Sequence, residues 1–212
     1  MKRRSFSHLF AALVVSTVAV LAMPVHAADE AADAFIKRLS TEVLTGIKAD
    51  KSIQSGDVSK IVALVDRLVM PNVDFKRMTA SAVGPKWRQA TPEQQQRLQE
   101  EFKILLVRTY AGALTQVNDV TFSVKPMRSG TDDKEVVVRT EIKGRGDPIQ
   151  LDYRLERTPG EGAGWKIYNL NVLGVWLVDT YRSQFAQEIN AKGIDGLIAT
   201  LVERNKTNAK KG

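Results

Sequence analysis

Apolar residues recur every three or four positions along much of the chain, as they do on the buried face of an amphipathic helix. This spacing predicts helices over residues 31–50 and 57–69, followed by a short third helix with Asn72 as its cap. Two further helices close the chain, and the first of them carries Val178 and Tyr181 on its apolar face. The N-terminal and C-terminal parts of the chain are therefore expected to be helical.

The clearest helix start lies at residues 91–94, with the sequence TPEQ. Thr91 is a good cap, Pro92 suits the first helical position, and Gln94 completes a capping box. The helix that begins here is expected to reach about residue 117, which is long for a domain of this size. The basic residues at 204–212 are expected to form a frayed tail.

After the long helix the apolar residues alternate with polar ones, which is the pattern of half-buried β-strands. Short turns separate the alternating segments, so an antiparallel meander is expected. The predicted fold class is α+β, with helices packed on one face of a four-stranded antiparallel sheet. The four predicted strands occupy residues 120–124, 136–143, 149–156 and 165–172.

The first 27 residues have the pattern of a secretory signal peptide. Three basic residues at positions 2–4 precede an uncharged apolar run at residues 9–21, and Val25-His26-Ala27 resembles a signal-peptidase site. We therefore expect a mature chain that begins at Ala28 and forms a single domain over residues 28–212. Export across the inner membrane of a bacterial cell would place this domain in the periplasm.

The composition of the expected mature chain excludes several kinds of chemistry. Both histidines, His8 and His26, lie in the predicted signal peptide, and the sequence contains no cysteine. A histidine-assisted nucleophile and almost all zinc sites are therefore excluded. The mature net charge of +4 is too small, and the basic residues too scattered, to indicate nucleic-acid binding. Asp152 and Asp179 are the two carboxylates that could act as a buried general base in an enzyme.

The remaining candidate site is apolar and lies between the predicted sheet and the helices. From the pattern alone, these residues could form either an ordinary filled core or the wall of a cavity. The candidates on the strands are Val136, Val138, Ile142, Ile149, Leu151, Tyr153 and Leu155. The candidates on the helices are Phe102, Leu105, Leu106, Thr109, Val178 and Tyr181.

Several segments in order along the chain resemble the toluene-tolerance family of phospholipid carriers, the MlaC proteins. The sequence departs from that family at Asn169, Leu173 and Trp176, where Asp, Glu and Ser are common, and this end of the fourth strand is more apolar as a result. The matching segments are VMPNVDF at 69–75, GPKWRQATPEQ at 84–94, EF, LL and TYA between 101 and 111, WKIY at 165–168, GV at 174–175 and YRSQF at 181–185.

The resemblance implies a nuclear-transport-factor-2-like (NTF2-like) fold with an apolar cavity for phospholipid tails between the helices and the sheet. The candidate residues above would line this cavity, and the phospholipid would be cargo, with no cofactor, no metal and no catalysis. The implied partners are an inner-membrane ABC-type complex with an MCE-domain subunit and an outer-membrane lipoprotein–porin complex. A monomer is expected. An enzyme of the same fold group and a lipid-free envelope adaptor are the alternatives.

Overall fold

A computed structural model describes residues 30–114, 120–127, 133–144 and 147–209, without the side chains of residues 113 and 114. The predicted signal peptide and the end of the basic tail lie outside these residues. The α-helices are α1 Ala32–Ala49, α2 Lys51–Gln54, α3 Val58–Leu64, α4 Phe75–Val83, α5 Pro92–Leu114 and α6 Leu177–Ala209. The strands are β1 Thr121–Val124, β2 Glu135–Lys143, β3 Ile149–Arg157, β4 Trp165–Val172 and β5 Val175–Trp176.

The sheet has five antiparallel strands in the order β1-β2-β3-β4-β5, so the prediction of four strands was wrong. The additional strand β5 has two residues, which is too short to show an alternating pattern. Its Val175 pairs with Val172 of β4. Leu173 and Gly174 connect β4 to β5 with φ angles of 52° and 87°. Leucine seldom adopts a positive φ, so this tight turn could not be predicted from the residue types.

The start of α5 follows the sequence prediction in detail. The amide of Thr91 donates to Gln94 Oε1 at 3.0 Å, and the amide of Gln94 donates to Thr91 Oγ1 at 3.2 Å. These two reciprocal hydrogen bonds confirm the capping box. The cap of α4 differs from the prediction, because Asp74, and not Asn72, accepts a hydrogen bond from the amide of Arg77 at 2.8 Å.

The second predicted helix changes its geometry before it ends. It begins as α3 and continues as a π-helical segment over Val65–Val69, after which a 3-10 turn covers Met70–Asn72. Pro71 prevents the regular helix from continuing, because proline has no amide hydrogen to donate. A π-helix is rare and often lies at a functional site, and this one contributes residues to the pocket described below.

The last helix, α6, is bent at Gly193, where φ is 72° and ψ is −174°. The two predicted closing helices are therefore confirmed, and they form the two arms of α6 on either side of this non-helical residue. The second arm remains helical up to Ala209, so residues 204–209 are not frayed. Asn205 is buried and its Nδ2 donates to Glu101 Oε2 at 2.7 Å, which anchors this arm to α5.

Three separate clusters of buried apolar side chains hold the helices and the sheet together. The first joins α4, α5 and α6 around the rings of Phe102, Tyr181 and Phe185. The second joins α1 to the sheet, where Phe35 packs with Val138 and its neighbours. The third lies among α1, α2, α3 and α5. The candidate functional site lies where these three clusters meet.

Candidate functional site

An apolar pocket of about 320 Å³ lies between the sheet and the helices. It exceeds the volume of roughly 150 Å³ at which an engineered apolar cavity stays dry and binds benzene. Apart from Lys103, every described wall residue is aliphatic, aromatic or methionine. The wall consists of Ile61, Val65, Val69, Met70, Val73, Phe75, Met78, Lys103, Leu106, Val107, Tyr110, Val120, Ile142, Ile149, Leu151, Tyr153, Ile167, Leu170, Val172 and Leu177.

The sheet supplies its part of the wall through the two-residue period of its strands. On β3, Ile149, Leu151 and Tyr153 face the pocket, and Ile142 does so on the neighbouring strand β2. These residues belong to one end of the inner sheet face. At the other end, α1 covers the same face, and the side chains there are buried in the second cluster.

A β-bulge adjusts which residues of β4 face the pocket. Arg154 pairs with Asn169 and the next residue, Leu155, pairs with Ile167, so Tyr168 is the extra residue. Before the bulge the odd-numbered residues of β4 face inward, and after it the even-numbered residues do so. Ile167, Leu170 and Val172 therefore all line the pocket. The bulge thus brings β4 into the wall over most of its length.

The opposite wall consists of α5 together with α3 and its π-helical continuation. Lys103, Leu106, Val107 and Tyr110 share one face of α5, at the spacing of three, four and seven residues that a helix requires. Ile61, Val65 and Val69 come from α3 and the π-helical segment. Because α5 packs against α3, α4 and α6, its face toward the sheet is left to the pocket.

The structure divides the thirteen predicted site residues among four environments. Leu106, Ile142, Ile149, Leu151 and Tyr153 lie on the pocket wall. Phe102, Leu105, Val178 and Tyr181 are buried in the first cluster, and Val136, Val138 and Leu155 are buried in the second. Thr109 is exposed, and its hydroxyl donates to the carbonyl of Leu105 at 2.7 Å. The same apolar periodicity in the sequence thus predicted residues of the pocket wall and residues of the two packed clusters alike.

The two aspartates considered as general bases do not lie on the pocket wall. Asp152 is buried, but it alternates with Leu151 and Tyr153 on β3 and therefore lies on the opposite face of the sheet, where Gln150 donates to it at 3.2 Å. Asp179 is exposed and lies 3.9 Å from Arg154. Within the described residues, no three carboxylates or other metal ligands gather into a cluster.

Two tyrosines of the wall, Tyr110 and Tyr153, also carry a polar group. The ring of Tyr153 contributes to the pocket surface, while its hydroxyl is hydrogen-bonded to Ser40 and Thr140. Burial raises the pKa of Tyr153, so its phenol stays neutral. Burial also raises the pKa of Tyr110. Neither tyrosine therefore adds a charge to the pocket at neutral pH.

The MlaC protein family model matches residues 37–203 of the chain. The chain belongs to the MlaC family. This confirms the resemblance that the sequence motifs indicated. Among individual relatives in the MlaC family, the toluene tolerance protein ttg2D of Pseudomonas putida is 32% identical over 162 residues, which cover 76% of this chain and 74% of the relative.

Two further proteins extend the MlaC comparison. The intermembrane phospholipid transport system binding protein MlaC of Haemophilus influenzae is 21% identical over 167 residues, which cover 78% of each chain. The solved structure of a phospholipid-binding protein from Ralstonia solanacearum, in complex with a phospholipid, superimposes with a TM-score of 0.80. That structure is 46% identical and covers 84% of this chain and 98% of its own.

Sequence reasoning missed most of the helical half of the pocket in this MlaC-family chain. Ile61 and Val65 lie within the helix predicted at 57–69, but nothing in the sequence indicated that they face the strands across a pocket. The sequence did not indicate a pocket position for Lys103, because a lysine one residue from a buried position normally indicates a solvated helix edge.

Among the described helices, none has the combination of length and apolar character that a membrane span needs.

Proposed function

We propose that this MlaC-family chain is a periplasmic phospholipid carrier that encloses lipid tails in the pocket between the sheet and α5. The observation that carries the proposal is an apolar wall of this size on a fold shared with a phospholipid-bound relative. The proposal includes export with removal of residues 1–27, a mature single domain that begins at Ala28, and the NTF2-like cavity architecture. N-terminal sequencing of periplasmic protein tests the cleavage site.

The hydrophobic effect explains why a carrier is needed. Transfer of one methylene group from water to an apolar environment is worth ~0.8 kcal/mol. Two phospholipid tails contain roughly thirty such groups, so a bare lipid in an aqueous compartment would cost on the order of 20 kcal/mol. A wall of aliphatic and aromatic side chains removes this cost without forming a bond to the lipid. The lipid is therefore cargo, and neither a cofactor nor a substrate.

The arrangement of the wall argues against the enzyme alternative. A general base must reach the group from which it takes a proton. Asp152 points away from the pocket, and Asp179 lies in solvent. We therefore propose that the protein catalyses no covalent reaction, and we propose separately that it acts as a monomer. It would exchange lipid with an inner-membrane ABC-type complex that has an MCE-domain subunit and with an outer-membrane lipoprotein–porin complex.

Solvent extraction of the purified protein tests the proposal directly. Mass spectrometry of the extract should reveal phospholipid in a stoichiometric amount. The delipidated protein should then take up fluorescent phospholipid from donor vesicles and deliver it to acceptor vesicles. If the extract contains no lipid and the protein accelerates no transfer, the carrier function is wrong and the lipid-free adaptor becomes the better explanation.

A further inference from the structure

Lys103 is the only charged residue among the described residues of the pocket wall. Its side chain is 25% exposed, and its ammonium nitrogen lies 2.7 Å from Asp66 Oδ1 on a side chain that is 45% exposed. A lysine of this kind lays its methylene stem along an apolar surface and keeps its charge in water. The ammonium group therefore marks a place where the apolar wall meets the solvent.

The two members of this ion pair come from the two helical elements of the wall. Lys103 lies on α5, one turn before Leu106 and Val107, which line the pocket. Asp66 follows Val65 in the π-helical segment, and Val65 also lines the pocket. The pair thus bridges the gap between α5 and the π-helical segment at the rim of the pocket. As an exposed ion pair it contributes little to folding stability, typically below ~1 kcal/mol.

We propose that Lys103 binds the phosphate group of the phospholipid whose tails occupy the pocket. This inference rests on the proposed carrier function. When the tails enter between α5 and the sheet, the phosphate comes to lie at the rim, where a lysine ammonium is a suitable ligand for it. The phosphate then takes the place of Asp66 as the partner of the ammonium group. Because all glycerophospholipids share this phosphate, the contact anchors the lipid without selecting a head group.

The test compares a phospholipid with a diacylglycerol that has the same tails and lacks the phosphate. Lys103→Met keeps the apolar stem and removes the charge. We expect the affinity for phosphatidylglycerol, measured by exchange from vesicles, to fall about tenfold, the loss expected for a hydrogen bond to a charged group. The affinity for the diacylglycerol should stay the same. Asp66→Asn should act in the opposite direction, since it frees the ammonium group for the phosphate.

Lys192→Met is the matched control, because Lys192 forms a comparable ion pair with Glu188 at 3.1 Å on α6 and does not line the pocket. It should leave both affinities unchanged. Inorganic phosphate alone should not raise the melting temperature of the delipidated protein; if it does so only when Lys103 is present, the site binds free anions and the assignment is wrong.

The remaining outcomes separate this inference from the carrier function. If Lys103→Met lowers the affinity for both lipids equally, or changes neither, Lys103 is only part of the wall and the phosphate site is refuted while the carrier function stands. If the wild-type protein binds neither lipid, both proposals fall together. A decrease in phosphatidylglycerol affinity for Asp66→Asn would mean that the ion pair is structural, and would also refute the exchange of partners.

Discussion

Leu151 and Leu155 lie on the same strand and the same face of the sheet, yet their surroundings differ. Leu151 lines the pocket, whereas Leu155 is fully buried beneath α1. We expect Leu151→Trp to fill space that lipid tails would occupy, so the lipid content should fall while the delipidated protein keeps or gains stability. Leu155→Trp should overpack a filled core and cost typically ~1–3 kcal/mol. Thermal melts of both delipidated variants, with a lipid count for each, test this contrast.

Two results would contradict this interpretation of the pocket. If Leu151→Trp is as destabilising as Leu155→Trp, the space near Leu151 is packed as an ordinary core. If Leu151→Trp keeps its full lipid content, the tails lie elsewhere. Both positions have a leucine on the same strand and the same face of the sheet. A difference in stability between the two variants therefore depends only on what each side chain faces.

These two leucines also show why the sequence could not separate the pocket from the core. Both belong to the same alternation of apolar and polar residues on β3, and this alternation indicates only which face is dry. What differs is whether α1 covers the position, and that is decided by the packing of a helix more than a hundred residues earlier in the chain. Tertiary packing of this kind leaves no local signal.

Leu173 is a second residue at which a single substitution is informative. It has a φ of 52° and is 64% exposed, so its backbone is strained and its side chain gains little from packing. Asn-Gly is the preferred pair for a tight turn with two positive φ angles. We therefore expect Leu173→Asn to raise the free energy of unfolding by about 1 kcal/mol. Chemical denaturation measures this change.

Leu173→Ala is the control for this turn, because it removes most of the side chain but retains the Cβ atom that causes the strain. Its stability should stay close to that of the wild type. If Leu173→Asn is instead destabilising, the leucine side chain makes a stabilising contact that outweighs the backbone strain.

At the scale of elements, the sequence predicted most of the fold because most elements have a local cause. The capping box set the start of α5, and alternation located β1 to β4 to within a residue or two. Two features had no such cause. β5 has two residues and forms through its pairing with β4, and the π-helical form of residues 65–69 arises within a segment whose apolar spacing fits an ordinary helix.

The bend of α6 depends on Gly193, whose φ of 72° strongly favours glycine. A Cβ atom at this position would meet no neighbour within 4 Å, so the penalty of Gly193→Ala comes from the backbone alone. We expect this substitution to lower the free energy of unfolding by about 1–2 kcal/mol. Thermal or chemical denaturation of the purified variant measures the change.

Gly112→Ala provides the opposite case within a straight helix. Gly112 lies in α5, and a Cβ atom there would also meet nothing within 4 Å. This variant should gain up to about 1 kcal/mol, since alanine is the better helix former. Equal effects of the two substitutions would show that Gly193 is not required for the bend between the two arms of α6.

At the scale of the whole molecule, lipid binding should be linked to folding stability. A ligand that binds only the folded state at a hundredfold excess over its Kd stabilises that state by about 2.7 kcal/mol. For a domain of this size, the corresponding rise in melting temperature is roughly 5–11 °C. Calorimetry of delipidated protein with and without added phospholipid measures the shift, which should be smaller for Leu151→Trp. The absence of any shift in the wild type would contradict binding to the folded state.

The meeting of three separate clusters at one pocket has a mechanical consequence. Each cluster is closely packed within itself, and a packed interior resists deformation. The pocket lies between these clusters, so we expect the molecule to deform first where the clusters meet, and not within them. The width of the pocket can then change through small rotations of whole clusters, with no side chain leaving its cluster. We therefore expect the pocket to accommodate apolar chains of different length or shape through small changes in its width.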